Sequence, residues 1–363
     1  MPLNGIKVLD FTRVLAGPLA TMILGDLGAE VIKIERPIVG DDSRSWGPPF
    51  DARGESAYFL SCNRNKLSVS ADLSDPSEVR LLTQLAAGAD VIVDNFLPGT
   101  LERYGLDPAL LLAEHPKLFW CTITGFGADS VRLGYDYVVQ AESGWMSITG
   151  EVGGAPMKVG VALADVIAGK DAAIAILAAL AGTRRGTVVE RRVFVSLYHS
   201  AVGALVNVAQ NALVTGREAV RFGNAHPNLV PYELFHAADR NVVIAVGNDA
   251  QFAALIGALD LPLLTGARFS TNAGRVLHRD EVVDAVRARL ATAPAAHWIS
   301  ILNRAGVPSG VERSVLEALA EVSASALTGV APLPPGTIRR APPRLDEHGA
   351  LVRARGWDAF TDS

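Results

Sequence analysis

The chain of 363 residues is poor in cysteine, with Cys62 and Cys121 its only two. They show no CxxC spacing, so neither a disulfide framework nor a zinc or other metal site is expected, and a reducing compartment, the cytoplasm, fits. Basic charge is not in excess. Lysine and arginine number 33 against 38 acids, a net charge of −5, which argues against a nucleic-acid partner. No apolar run reaches membrane length: residues 172–181 are too short to span a bilayer and follow Asp165, Lys170 and Asp171. The strand-like KVLDF comes at once, with no secretory leader read before it, so a soluble protein is expected. Absent too is G-x-G-x-x-G. After the first apolar run the chain reads T-R-V-L-A-G-P, which removes the usual dinucleotide site.

What is present is ample core. Hydrophobic residues make up 49% and charged residues 20%, the balance of a folded chain long enough for two domains. IKVLDF reads as a buried strand, Ala16-Gly17-Pro18 opens a helix that runs to Gly28, and AEVIKIE is a second strand. That βαβ order predicts a parallel sheet with helices on its faces. It continues through a helix over about 76–87, the strand ADVIVDNF, a helix after Pro108 and the strand LFWCTITGFG. A second stretch begins near Phe222, with NVVIAVGN as a strand and helices around 249–259, 279–291 and 295–305. The proline-rich residues 331–343 read as a surface linker.

The segment KVGVALADVIAGKDAAIAILAALAG is the most informative. Residues 159–164 look strand-like, and Asp165 then stands before an alanine-rich helix. On position alone the commoner job of such an aspartate is to cap the helix. The other is a nucleophilic carboxylate, placed where backbone amides and the positive helix end stabilise developing negative charge. The two roles are compatible before a substrate arrives.

LDFTRVLAGPLATMILGDLGAEVIKIERP, DNFLPGTLERYGL, CTITGFG, GYDYVVQAESGWMSITG and GVALADVIAG occur in that order. The succession resembles the class III (family III) CoA-transferases, a family that also includes acyl-CoA racemases, and the resemblance covers nearly the whole chain. NRNKLSV, FGNAHPNLVPYELF and FSTNAGRVLHRDEVV look like its succinate–hydroxymethylglutarate (glutarate) branch. The resemblance implies that Asp165 attacks an acyl-CoA thioester to form a mixed anhydride. CoA then adds to the aspartyl carbonyl, and an incoming carboxylate takes CoA through a second anhydride. Water must be excluded, since hydrolysis of either intermediate ends the transfer. A dicarboxylate such as succinate or glutarate is implied on at least one side, with coenzyme A as substrate and no further cofactor.

Matching residue by residue, the resemblance assigns CoA contacts to Val14, Leu15, Ala16, Arg36, Ala71, Asp72, Leu73 and Ser74. It adds Asn95, Phe96, Leu97, Arg103, Leu133, Gly134 and Asp136. Arg36 and Arg103 suit phosphate oxygens, with Arg64 and Lys66 weaker candidates; the plain alternative for any one of these arginines is an ordinary solvated charge. Tyr135 stands where the transferases carry a tyrosine, able to donate to an acyl oxygen; the plain alternative is a core aromatic. The racemase branch has a histidine there, and Gly134-Tyr135-Asp136 lacks it. Arg13 and His226, the latter beside Asn224, Asn228 and Tyr232, are candidates for a substrate carboxylate.

The expectation is an α/β fold: a Rossmann-like large domain with a parallel sheet over 1–205, completed by the tail 325–363, and a smaller α/β domain over 220–318. The resemblance implies an interlocked homodimer. Departures from the family pattern are Thr183-Arg184-Arg185-Gly186-Thr187, His199, Asp346 where glycine is preferred, and a shortened stretch between Glu321 and Arg339. No glycine-rich cover for the aspartate is visible, with Gly247-Asn248-Asp249 a possible substitute. Two other readings stand open: an acyl-CoA racemase or epimerase, and a CoA-binding protein without turnover.

Overall fold

Strands that are apolar on both faces need cover on both faces. In the computed structural model, which describes residues 1–187 and 190–361, they find it. Residues 188–189 of the expected large domain and 362–363 of the expected tail lie outside the described residues. β1 (Lys7–Asp10), β2 (Glu30–Glu35), β3 (Lys66–Ser70), β4 (Val91–Asp94), β5 (Phe119–Thr124) and β6 (Arg192–Ser196) form one sheet. Its order is β3-β2-β1-β4-β5-β6 and every pairing is parallel.

One face packs Leu24, Val31, Val93 and Ile176 under the helices Ala16–Asp26 and Leu163–Arg184. The other packs Leu9, Ile32, Leu82 and Trp120 under the helix Pro76–Ala87 and the late helix Gly349–Arg355. The chain leaves β1 towards β2 and later returns to β4 on the other side. The loops after β1 and β4 therefore part over a crevice at the carboxyl end of the sheet, where ligands of such folds bind.

Three expectations are corrected. Residues 159–164 form no strand, and the helix begins at Leu163. Their backbone is paired by a side chain instead: Gln140 Oε1 accepts from Val159 N at 2.8 Å, and its amide nitrogen donates to Val161 O at 3.3 Å. The proline-rich stretch is no loose linker either. Asn65 Oδ1 accepts from the backbone N–H groups of Arg339 and Arg340, and Arg339 Nη2 donates to the carbonyls of Gly25 and Ala29, both at 2.8 Å. Finally, Arg64 and Lys66 are buried and committed to the chain's own pairs with Asp26 at 2.6 Å and Asp10 at 3.1 Å. They are not free for a phosphate.

Asp346, in the place of a preferred glycine, has φ 55°. Its carboxylate offsets the left-handed cost by accepting from Ser70 N at 2.8 Å.

The chain divides into two units: residues 1–146, 158–217 and 319–361 in the first, and 147–157 with 218–318 in the second. The second has an antiparallel sheet of β7 (Tyr232–His236), β8 (Asn241–Ala245) and β9 (Ser309–Val311). Helices Asp249–Leu259, Arg279–Leu290 and Ala295–Arg304 close its core around Phe235, Phe252, Trp298 and Leu302. Residues 147–157 join it through Arg221, which donates to Ser147 O and Gly154 O. Among the described residues no helix is long and apolar enough to cross a membrane.

Candidate active site

Two aspartates turn the chain as it leaves the sheet. At the end of β1, Asp10 accepts from Thr12 N at 2.9 Å and Thr12 Oγ1 at 2.5 Å. At the end of β4, Asp94 accepts from Phe96 N at 3.0 Å. Each is a side chain closing a turn on the backbone two residues ahead. Beyond the first turn, Gly17 is required by close packing, since a Cβ there would lie 2.3 Å from Thr12 Cβ. Val14 has φ 74°, an unfavourable conformation for a β-branched residue. Asp41 holds it there, accepting from Val14 N at 3.1 Å while pairing with the buried Lys33 at 2.9 Å. Burial alone would raise the Asp41 carboxyl, but Lys33 and the Ser43 amide bring it down to about 2.

Asp165 does not cap its helix. Ala162 is the N-cap, and Asp165 is the third residue of Leu163–Arg184. The capping carboxylate comes from elsewhere: Asp136 Oδ1 accepts from Ala164 N at 2.8 Å. Asp165 itself is half-buried and makes no hydrogen bond through its carboxylate among the described residues. Burial, and then the like charge of Asp136, push that carboxyl up to about 7. The helix end favours the anion by only about 1 kcal/mol, so burial and Asp136 win. Gly169 brings this helix close to Ala16, where a Cβ would meet Ala16 O at 2.5 Å.

The residues expected to hold CoA divide between two cavities. One of about 390 Å³ is lined by Val14, Leu15, Ala16, Asn95, Phe96, Leu97, Leu133, Gly134 and Tyr135, and also by Asp165. The other, about 240 Å³, is lined by Arg36 and by Ala71, Asp72, Leu73 and Ser74. Arg13, Phe96 and Thr100 line both. Gly125 and Gly134 shape the wall: a Cβ on either would come within 2.6 Å of the other's Cα, so the loop after β5 folds flat on itself.

Three expected contacts lie outside both linings. Arg103 is exposed and donates to Gly99 O at 3.2 Å. Asp136 is buried, with both oxygens taken by Ala164 N and by the Gln140 amide. His226 belongs to the second unit, where its Nδ1 accepts from Asn228 N at 3.0 Å and its ring stands 5.1 Å from that of Tyr232. Burial, then Arg279, depress its imidazole.

Two residues escaped the sequence reading. Tyr58 is half-buried, and burial, then the charge of Asp165, push its hydroxyl up to about 12. The segment AYFL carries no pattern that marks it. Asp42 lines the larger cavity and pairs with both Arg13, at 3.3 Å, and Arg36. Its signal was the run Asp41-Asp42 after β2, at the carboxyl end of a parallel strand.

A carboxylate without hydrogen-bond partners among the described residues, half-ionised near neutrality, faces a cavity joined through Arg13 to a second one that carries Arg36. That arrangement can attack a carbonyl at one end while cations hold an anionic tail at the other. Residues 3–355 match the sequence profile of CoA-transferase family III. The chain is 44% identical over 327 residues to succinyl-CoA:glutarate CoA-transferase of Mus musculus, covering 88% of this chain and 74% of that protein. It is 40% identical over 381 residues to succinate–glutarate CoA-transferase of Agrobacterium fabrum, covering 97% and 95%. The crystal structure of a CAIB/BAIF family protein from Brucella suis superposes with a TM-score of 0.83 at 38% identity, covering 98% of this chain and 99% of that one. The chain that sets the aspartate of GVALAD beside the crevice of its parallel sheet has relatives along nearly its entire length, and it belongs to CoA-transferase family III.

Proposed function

We propose that the protein moves CoA between an acyl-CoA and a free dicarboxylate of the succinate or glutarate kind, with Asp165 as the acyl carrier. The observation that carries this is the Asp165 carboxylate, unpaired among the described residues and pushed up to about 7 by burial and Asp136, in the wall of the larger cavity. A carboxylate of raised basicity is a better nucleophile once ionised, and near neutrality about half of it is.

The adenine end of the substrate occupies the 240 Å³ cavity, with phosphate oxygens at Arg36 and the pantetheine arm along Val14–Ala16 and Asn95–Leu97. An Asp165 oxygen attacks the thioester carbonyl, the C–S bond breaks, and CoA leaves as a thiolate. The thiolate then adds to the Asp165 carbonyl of the anhydride and releases the donor acid. The acceptor carboxylate attacks the resulting aspartyl-CoA thioester, expelling thiolate again. Attack of that thiolate on the acceptor's own acyl carbon frees Asp165 and yields the new acyl-CoA. Tyr58 and Tyr135 supply O–H donors for the oxyanions. Arg13, whose Nε is buried without a partner among the described residues, pairs with the distal carboxylate of a diacid.

A homodimer in the cytoplasm completes the proposal. The helix Val206–Thr215 has no buried residue, and Val206, Leu213 and Val214 stand exposed, as a second copy covering them requires. Cys62 and Cys121 are free thiols.

The test is succinyl-CoA as donor against glutarate and against butyrate, with hydroxylamine trapping of the enzyme. Glutarate should win by about 10², the cost of one lost charge-assisted contact, and the adduct should map to Asp165. Equal rates would remove the dicarboxylate assignment; an adduct on another residue would remove Asp165.

A further inference from the structure

Residues 159–164, which deliver Asp165 to the cavity, are held by two side chains from a single helix turn. Gln140 is wholly buried: Oε1 accepts from Val159 N at 2.8 Å, and Nε2 donates to Val161 O at 3.3 Å and to Asp136 Oδ2 at 2.7 Å. Asp136 accepts from Ala164 N with its other oxygen. Both belong to the helix Asp136–Glu142, whose N-cap, Tyr135, lines the cavity. One helix start thus carries the cavity wall and the clamp on the nucleophile.

We propose that Asp136 and Gln140 are positioning residues for Asp165, Gln140 setting its place and Asp136 making its acylated form the favoured one. The inference rests on the reading of Asp165 as acyl carrier. Free Asp165 ionises beside the carboxylate of Asp136, whose oxygens are both spent on the chain and which no cation pairs with among the described residues. Acylation replaces the Asp165 charge with a neutral anhydride or thioester, so the repulsion disappears as the covalent intermediate forms. Tyr58, from the short helix Ala57–Leu60, is the other group that feels the Asp165 charge. Arg13, Asp42, Arg132 and Tyr135 stand around the same cavity. On the Asp165 helix, Lys170 is exposed and Asp171 accepts from Ser200 Oγ at 2.6 Å.

The test is single-turnover reaction with succinyl-CoA and no acceptor, from pH 5 to 9, trapping with hydroxylamine and reading the Asp165 peptide by mass. In the wild type the adduct rises through an acid limb near pH 7. Asp136→Asn should move that limb down by about one pH unit and cut the adduct at pH 8 by about tenfold. Gln140→Leu should slow adduct formation by about tenfold and leave the limb in place. A wild type with no adduct on Asp165 sinks the carrier reading and this inference with it. An adduct in the wild type, with limb and amount unchanged in Asp136→Asn, sinks the inference alone. If Asp136→Asn does not fold, an unaltered rate in Gln140→Leu is enough to overturn it.

Discussion

The side-chain amide of Asn95 grips the backbone of Arg13 from both sides, accepting from its N–H at 3.0 Å and donating to its carbonyl at 2.8 Å. It is a strand pairing made by one residue, and it ties the loop after β4 to the loop after β1 across the crevice where the sheet order reverses. Asn95 therefore shapes the larger cavity, which it also lines.

Asn95→Ala should raise KM for acyl-CoA by about tenfold, the worth of two backbone bonds partly replaced by water, with kcat nearly unchanged. Steady-state kinetics check this. An equal fall in kcat at constant KM would show that the loop acts on the chemical step instead.

Asp165→Asn should abolish transfer and also change how stability follows pH. The folded carboxyl titrates at about 7 against an ordinary 3.8. A group raised by folding contributes fully below its unfolded value and loses that contribution as pH rises through its folded one. The neutral amide escapes this loss. The variant should melt like the wild type at pH 4 and higher at pH 8, by up to about 4 kcal/mol. Matching melting curves at pH 8 would mean that Asp165 ionises without cost.

Gly169→Ala should destabilise although alanine favours helices by about 1 kcal/mol. The new Cβ would stand 2.5 Å from Ala16 O, a backbone atom that cannot rotate away, and such overpacking costs about 1–3 kcal/mol. Because the same helix carries Asp165, the rate should fall too. Gly257→Ala is the control: it meets nothing within 4 Å and should stabilise by about 1 kcal/mol in denaturant titration.

Tyr58, pushed up to about 12, keeps its proton through the physiological range and is a donor, not a base. Tyr58→Phe should slow transfer by about tenfold. The enzyme should wash no solvent deuterium into the α-carbon of a 2-methylacyl-CoA, and incorporation at a rate near that of transfer would restore the racemase reading.

Strands β1, β2, β4 and β5 were readable because continuous apolar runs such as VIVD and FWCTIT have few alternatives, and the helix Pro76–Ala87 because Asp75 and Pro76 announce it, whereas β3 (KLSVS) and β6 (RVFVS) were not read as strands. The place of Asp165 at the start of the long helix was readable from its segment, though not its third position behind the N-cap Ala162. The apolar run at 159–164 misled because an extended backbone looks the same whether a strand or a glutamine pairs it. Asp136 and Gln140, four apart and on one helix face, were the available sign. Lys33 lies inside a strand that local pattern reads as plain core, and Lys66 was weighed only for a phosphate; only the fold brings Asp41 and Asp10 to them. Residues 147–157 answer to Arg221, some 70 residues on, which no local periodicity reveals.

The division into units has a consequence for anyone cutting the gene. The chain passes from one unit to the other at 146/147, 157/158, 217/218 and 318/319. A protease nick at any one of these leaves the halves covalently joined through the other three. No single truncation yields either unit whole, because each is assembled from stretches that the other interrupts. A contiguous swap that carries the second unit whole, residues 147–318, takes residues 158–217 of the first along with it.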